Sequence, residues 1–435
     1  MRSFLSVMVL IISGASLLQG SPASGADFPV AEGSGMQNRP TIAYDPNGDR
    51  FFMAWYDWRN RETTGFDIYG RIVDGSGKPI TGDIPITRAK RSQGNPSIAF
   101  DTVNDRILVL WSDWRDAADV DSDIYGRLFN RDGTPYGEEF RVAAQRGVAQ
   151  KTANLAFDPT RQRFLVVWKD SRHPKFDKIY GRFIGADGMP QGEEFALALE
   201  GNAQDSPSVL FDPRKDQYLV AWRDVNSVDI DKWEKSVIGT FVQAERGPSG
   251  KSFLIAYEKT GCTPLSLKSA SFSPKDNYYF IAWSSGRNYH DTMPLSERRD
   301  LRFGYDDRPT GLDVYGAFIS VDDGSVKGEE FKIASEIDYQ EMPSVAYDPN
   351  KDRFLVVWYD LRRPPTNLNN DIYGRFITPK GIMSDEFLIS DELATGPRQL
   401  PTVAFSPRSN AFLVLWEDGR DGRGPKTRIY GRAVR

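Results

Sequence analysis

Residues 343–349 read PSVAYDP; 352–362 read DRFLVVWYDLR, 371–377 DIYGRFI and 385–390 DEFLIS. The tryptophan of this unit recurs as Trp55, Trp111, Trp168, Trp222, Trp283, Trp358 and Trp416, and its glycine as Gly70, Gly126, Gly181, Gly239, Gly316, Gly374 and Gly431. Both markers give seven units. Each unit holds four short runs rich in Val, Ile, Phe, Tyr and Trp between turn residues, the signature of strands, here termed A to D. The A–B link DPNGD (45–49) and the C–D link DGTP (132–135) place Pro and Gly at the reversals. Small and large side chains alternate along strand A (Ser97 and Ala99 with Ile98 and Phe100), so a large face of one unit can meet a small face of the next. The expected fold is all-β: a seven-bladed β-propeller of four-stranded antiparallel blades. The last unit stops after strand C at Arg435, whereas Phe28, Val30 and Ala31 match Phe140, Val142 and Ala143 of a strand D. The N-terminal strand is therefore expected to complete the last blade, closing the ring and removing its exposed edges.

Upstream of that strand, Arg2, the apolar stretch Phe4 to Leu18 and the small residues Ser24, Gly25 and Ala26 have the order of a secretory signal peptide. The expectation is a signal peptide over 1–26 and one propeller domain over 27–435, exported to a periplasm or beyond the cell. No later stretch is apolar and long enough to span a bilayer, and none of this predicts membrane insertion. The one cysteine, Cys262, leaves no internal disulfide, so the core alone must hold the fold in an oxidising compartment. A formal net charge of −5 with both signs mixed argues against nucleic acid as a partner. Two histidines, His173 and His290, exclude a histidine-rich metal site and leave two bases for any serine triad. There is no phosphate-binding glycine loop, haem attachment motif or zinc cluster, so no cofactor is expected.

The pattern PSVAYDP, DRFLVVWYD, DIYGRFI resembles the repeat arrays of exported bacterial propeller proteins over the whole of 27–435. The architecture is distantly similar to the WD40 group, although this repeat is longer and lacks the Gly-His and Trp-Asp pattern. The resemblance implies scaffolding, adhesion or ligand binding and supplies no catalytic motif.

Among the recurring polar residues, Trp-x-Asp-x-Arg gives Asp57 and Arg59, Asp113 and Arg115, Asp170 and Arg172, Asp360 and Arg362, Asp418 and Arg420. A later aspartate follows as Asp67, Asp123, Asp313 and Asp371. Paired acids and arginines suit glycosidase chemistry, but a catalytic site needs one constellation rather than a copy in nearly every blade. The expected role is a structural lock in which the guanidinium fork ties the B–C connection to the sheet. Gln37, Gln93, Gln150, Gln204 and Gln340 precede strand A, with Leu265 and Arg398 in register; they are read as satisfying backbone groups at the D–A crossing. Asp119, Asp121 and Asp123 alternate in an acidic run that offers calcium oxygen ligands, without the glycine and distal glutamate of an EF-hand. A solvated loop is the reading preferred for them.

Function in a repeat protein is sought where the repeats differ, because loops on a rigid scaffold carry specificity. Trp283 and Gly316 are 33 positions apart, against 16 for Trp358 and Gly374. The inserted stretch carries Arg287, Tyr289, His290, Arg298, Arg299, Arg302, Phe303, Tyr305, Asp306 and Arg308. Blade four departs at Asn226 and Ser236 and adds Trp233; blade five has Ser285 in place of the lock aspartate. Arg and aromatic residues dominate interface hot spots, so the blade four and five loops on the B–C face are the expected binding surface. The expected function is an exported, monomeric, non-catalytic scaffold that binds a protein partner or a cell-surface or extracellular polymer such as a glycan. The alternative is a carbohydrate-active enzyme at the channel mouth, with His290, Asp291, Asp306 or Asp307 as its acid or nucleophile.

Overall fold

The computed structural model describes residues 23, 25–33, 35–116, 121–143, 148–225, 235–258, 270–286, 312–334, 336, 339–362, 370–392, 396–420 and 427–435. Its 28 strands form seven four-stranded antiparallel sheets, each a blade. In blade two, strand A is Gln93–Asp101, B is Arg106–Asp113, C is Asp123–Asn130 and D is Pro135–Arg141. Strand A of each blade touches strand A of both neighbours all the way round, so the A strands are innermost and the ring is closed. Among the described residues there is no helix, hence none long and apolar enough to cross a membrane.

Ring closure follows the expected route. The sheet order of blade seven places Phe28–Pro29 beside Arg428–Val434, then Ala411–Asp418, then Arg398–Ser406. Phe28 sits opposite Gly431, as Phe140 sits opposite Gly126 and Phe195 opposite Gly181. The ring of the strand D phenylalanine lies over the strand C glycine. A Cβ on Gly181 would come within 2.9 Å of Phe195, and one on Gly431 within 3.1 Å of Phe28. The repeated glycine is thus the space that admits an aromatic side chain.

The core is seven apolar layers between adjacent blades rather than one central mass. The layer between blades one and two holds Phe52, Ala54, Ile68 and Ile72 from one side and Ile98, Val109, Trp111 and Phe129 from the other. All seven repeat tryptophans are fully buried in such layers. Stacked twisted sheets bury both faces this way, and each blade depends on its neighbours.

The A–B turns differ in detail from the sequence expectation. Gly48 does not take the left-handed conformation; Asp49 does (φ 50°), as do Asp105, Gln162, Asp216, Asn277, Asp352 and Asn410 at the same position. Asp and Asn tolerate this region better than other residues with a Cβ. The preceding aspartate closes the turn, as when Asp45 Oδ1 accepts from Asn47 N and Gly48 N. These turns also join blade to blade. Asn47 donates to Thr102 O, Asn104 to Gln162 Oε1, Arg161 to Asp216, Arg214 to Pro274 O, Lys275 to Pro349 O, Asn350 to Pro407 O and Arg408 to Asn47 O. Seven contacts form a girdle around the A–B end.

Candidate functional site at the channel mouth

Antiparallel pairing brings the start of A, the end of B, the start of C and the end of D to the opposite end of each blade. In blade one Gln37 pairs with Asp57, Asp57 with Asp67, and Ile68 with Thr87. The B–C connections and D–A crossings therefore share one face.

There the tryptophan, aspartate and arginine of the repeat meet. Trp55 Nε1 donates to Asp57 Oδ2 at 3.1 Å, Arg59 N to Asp57 Oδ1 at 2.8 Å and Arg59 Nη2 to Asp57 Oδ2 at 2.7 Å. The Arg59 guanidinium lies over the Tyr69 ring at 3.9 Å. Asp113 with Arg115, Asp170 with Arg172, Asp360 with Arg362, and Asp418 with Arg420 repeat the arrangement. The second carboxylate on each arginine comes from strand D or its approach: Asp83, Glu139, Glu194, Glu386 and Asp27. Burial disfavours the Arg59 charge, but Asp57 and Asp83 outweigh it and hold the guanidinium above its ordinary value.

The late aspartates, grouped with this set in the sequence reading, take other partners. Asp67 accepts from Asn60 Nδ2 at 2.7 Å, Asp123 pairs with Arg141, Asp313 with Lys332 and Asp371 with Arg398. The strand D acid was missed because its type alternates between Asp and Glu and it lies far from the tryptophan in sequence. In blade four Asp224 instead accepts from Asn202, and neither Trp222 Nε1 nor Trp283 Nε1 has a partner among the described residues.

The glutamines are buried and bind backbone. Gln37 Oε1 accepts from Ile429 N and its Nε2 donates to Gly33 O; Gln204 does the same with Ile179 N and Glu200 O. Arg398, in register in blade seven, is fully buried and bridges Asp371 to Asp418.

Two residues further along strand A, every described blade start carries a bulge with a left-handed residue: Arg39, Asn95, Thr152, Ser206, Met342 and Leu400. The cross-strand pair beside the bulge changes from blade to blade: Asn38 with Tyr56, Gly94 with Ser112, Lys151 with Lys169, Asp205 with Arg223, Glu341 with Tyr359, Gln399 with Glu417. Glu417 is buried and accepts from Asn38 Nδ2 (3.0 Å), Gln399 Nε2 (2.9 Å) and Arg39 N (2.7 Å). Tyr359 Oη donates to Glu341 Oε2 at 2.5 Å, and burial raises the Glu341 carboxyl despite that bond.

Between blades one and two this varied rim opens into a cleft of ≈ 580 Å³ lined by Arg39, Tyr56, Phe66, Arg91, Ser92, Gln93, Gly94, Asn95 and Trp114. Phe66 packs against Trp58 at 4.3 Å and Tyr56 at 5.8 Å between ring centroids. Burial and the Glu417 carboxylate push the Tyr56 phenol up, while Arg39 pulls it down. Trp58 and Trp114 occupy one repeat position, held where each backbone N–H meets the carbonyl of Met36 or Ser92. The equivalents Ser171, Leu361 and Gly419 make the same bond, so the turn does not require an aromatic. The cleft was legible in part: of the ten tryptophans, seven mark the repeat, and Trp58 and Trp114 are two of the three left over.

The expected surface on blades four and five, namely Trp233, Arg287, Tyr289, His290, Arg298, Arg299, Arg302, Tyr305, Asp306 and Arg308, lies outside the described residues, as do Asp291, Asp307 and Cys262. So does Asp119 of the acidic run. No group of three or more metal-capable side chains occurs among the described residues. His173 Nδ1 faces Lys175 N and Phe176 N, each at 3.4 Å.

No family model matches the chain, and no curated protein matches it. Solved structures align with it over most of its length. A protein of unknown function from Dyadobacter fermentans is 12% identical with a TM-score of 0.50, over 94% of this chain and 98% of that one. A subtype N10 neuraminidase-like protein from a little yellow-shouldered bat isolate is 10% identical (TM-score 0.44; 94% and 98% covered). A subtype N11 neuraminidase-like protein from a flat-faced bat isolate is 8% identical (TM-score 0.45; 96% and 92% covered). At 12% identity the likeness to the Dyadobacter protein shows the fold alone.

Proposed function

We propose that this chain is an exported binding scaffold that presents its B–C face to a cell-surface or extracellular polymer or to a protein partner, without catalysis. The observation that carries the reading is the cleft between blades one and two. It is concave and combines three aromatic side chains, Tyr56, Phe66 and Trp114, with a few polar groups, the usual make-up of a ligand seat. It also lies where the repeats diverge, whereas the repeated acids and arginines of the same face are consumed by one another. Export rests on the N-terminal sequence.

The test is co-purification of crosslinked, tagged residues 27–435 from the native envelope. The comparison is with the double variant Arg39→Asn, Trp114→Ser and with Lys351→Ala at the A–B end. A polymer or protein retained by the wild type and Lys351→Ala but lost from the double variant supports the reading. Equal retention by all three overturns the cleft as the binding site. Breakdown of a captured glycan by the purified protein would replace binding by the carbohydrate-active alternative.

A further inference from the structure

The cleft's chemistry narrows what it takes. We propose that it binds an acidic polysaccharide through a carboxylate-bearing sugar ring, an inference that rests on the binding reading above. Three features of the lining point there. First, Tyr56, Phe66 and Trp114 offer flat apolar faces against which the C–H face of a pyranose packs, and the polar edge of each aromatic still reaches hydrogen-bonding groups. Second, Ser92 and Asn95 supply a hydroxyl and an amide beside the buried Gln93, groups of the kind that read sugar hydroxyls. Third, both charged residues of the lining are arginines, Arg39 and Arg91, with no acid among them. A guanidinium fork matches a carboxylate in shape and charge.

Glu417, the acid that borders Tyr56 and Arg39, is not among the lining: three donors hold it buried. Its bond to Arg39 N also helps set the bulge from which the Arg39 side chain is presented. At ≈ 580 Å³ the cleft has the volume of a small-ligand site but is open to one side, so it suits a short segment of a longer chain laid in from that side.

The repeat itself supplies substitutions the fold already tolerates. Asn95 stands at the Arg39 position in blade two and Ser171 at the Trp114 position in blade three, which gives Arg39→Asn and Trp114→Ser. Affinities would be measured by calorimetry for an oligogalacturonate and for a neutral oligogalactoside of equal length, with melting temperatures as the control on folding. The expected result is tighter binding of the oligogalacturonate, weakened by salt. Arg39→Asn should lose about tenfold for the acidic chain alone, and Trp114→Ser about tenfold for both, with unchanged melting temperatures; tenfold is about 1.4 kcal/mol. Equal affinity for the two sugars, reduced by Trp114→Ser, overturns the acidic assignment and leaves the cleft as the binding site. Sugar binding that neither variant changes overturns both. Capture of a protein from the envelope that depends on these residues, with neither sugar bound, overturns the polysaccharide while keeping the scaffold reading.

Discussion

Arg432 Nε donates to Asp27 Oδ1 at 2.7 Å across 405 residues of chain. The same carboxylate accepts from Arg420 Nη2 and from Asp391 N, and its side chain is 1% exposed. Asp27 thereby holds the place in blade seven that Glu386 holds in blade six, where it pairs with Arg362 and Arg375. The strand that closes the ring is fixed by buried charge as well as by its short ladder.

Removing that charge should loosen the closure. Asp27→Ala leaves two arginines short of a partner at a buried site, a defect that typically costs about 3–5 kcal/mol. The melting temperature should fall by several degrees and the N-terminal strand should become the first site of proteolysis. A variant that melts and digests like the wild type would show that the ladder alone closes the ring.

The repeated lock predicts unequal costs at equivalent positions. Asp170 accepts from Trp168 Nε1, from Arg172 N and from the Arg172 guanidinium, whereas Asp224 in blade four leaves Trp222 Nε1 without a bond. Asp170→Ala should therefore cost roughly 3 kcal/mol or more and Asp224→Ala clearly less. Urea midpoints of the two variants give the comparison, and equal shifts would deny the lock a special role.

Arg398 is where restoring the repeat should do harm. Arg398→Gln returns blade seven to the residue of blades one to four and six, yet strips a buried cation from Asp371 and Asp418. Glutamine offers those two carboxylates no charge, so the variant should be destabilised by about 3 kcal/mol or more. Adding Asp371→Asn should recover part of the loss. If the single variant is as stable as the wild type, the buried network is dispensable.

Glu341 gives stability a pH dependence of opposite sign to that of paired surface acids. Burial raises its carboxyl above the ordinary 4.5, with the Tyr359 hydrogen bond opposing. The native state therefore takes up this proton before the unfolded chain does. The stabilisation is full below the unfolded value and is lost as pH rises through the folded one. Glu341→Gln should flatten the stability curve in that window, and Tyr359→Phe should move the Glu341 titration further up. Carboxyl NMR titration of the wild type checks the direction directly.

Residue order alone determined the architecture. Seven tryptophans and seven glycines at fixed spacing, with a strand D sequence at the N-terminus, leave little besides a ring of four-stranded blades, because each run is too short and too apolar to fold unless a neighbour covers it. The aspartate and arginine two residues apart were equally legible, since both lie on one strand end. Other contacts were not. Asp83 with Arg59, Asp27 with Arg432 and Arg398 with Asp371 join residues from different strands or from opposite ends of the chain, and no local spacing announces them. The cleft is of the same kind. Trp114 was visible as a surplus tryptophan, but Arg39, Tyr56 and Phe66 of blade one meet Arg91, Gln93 and Trp114 of blade two only because the ring sets those blades side by side. Local pattern determined the blades; closure of the ring decided which side chains share a site.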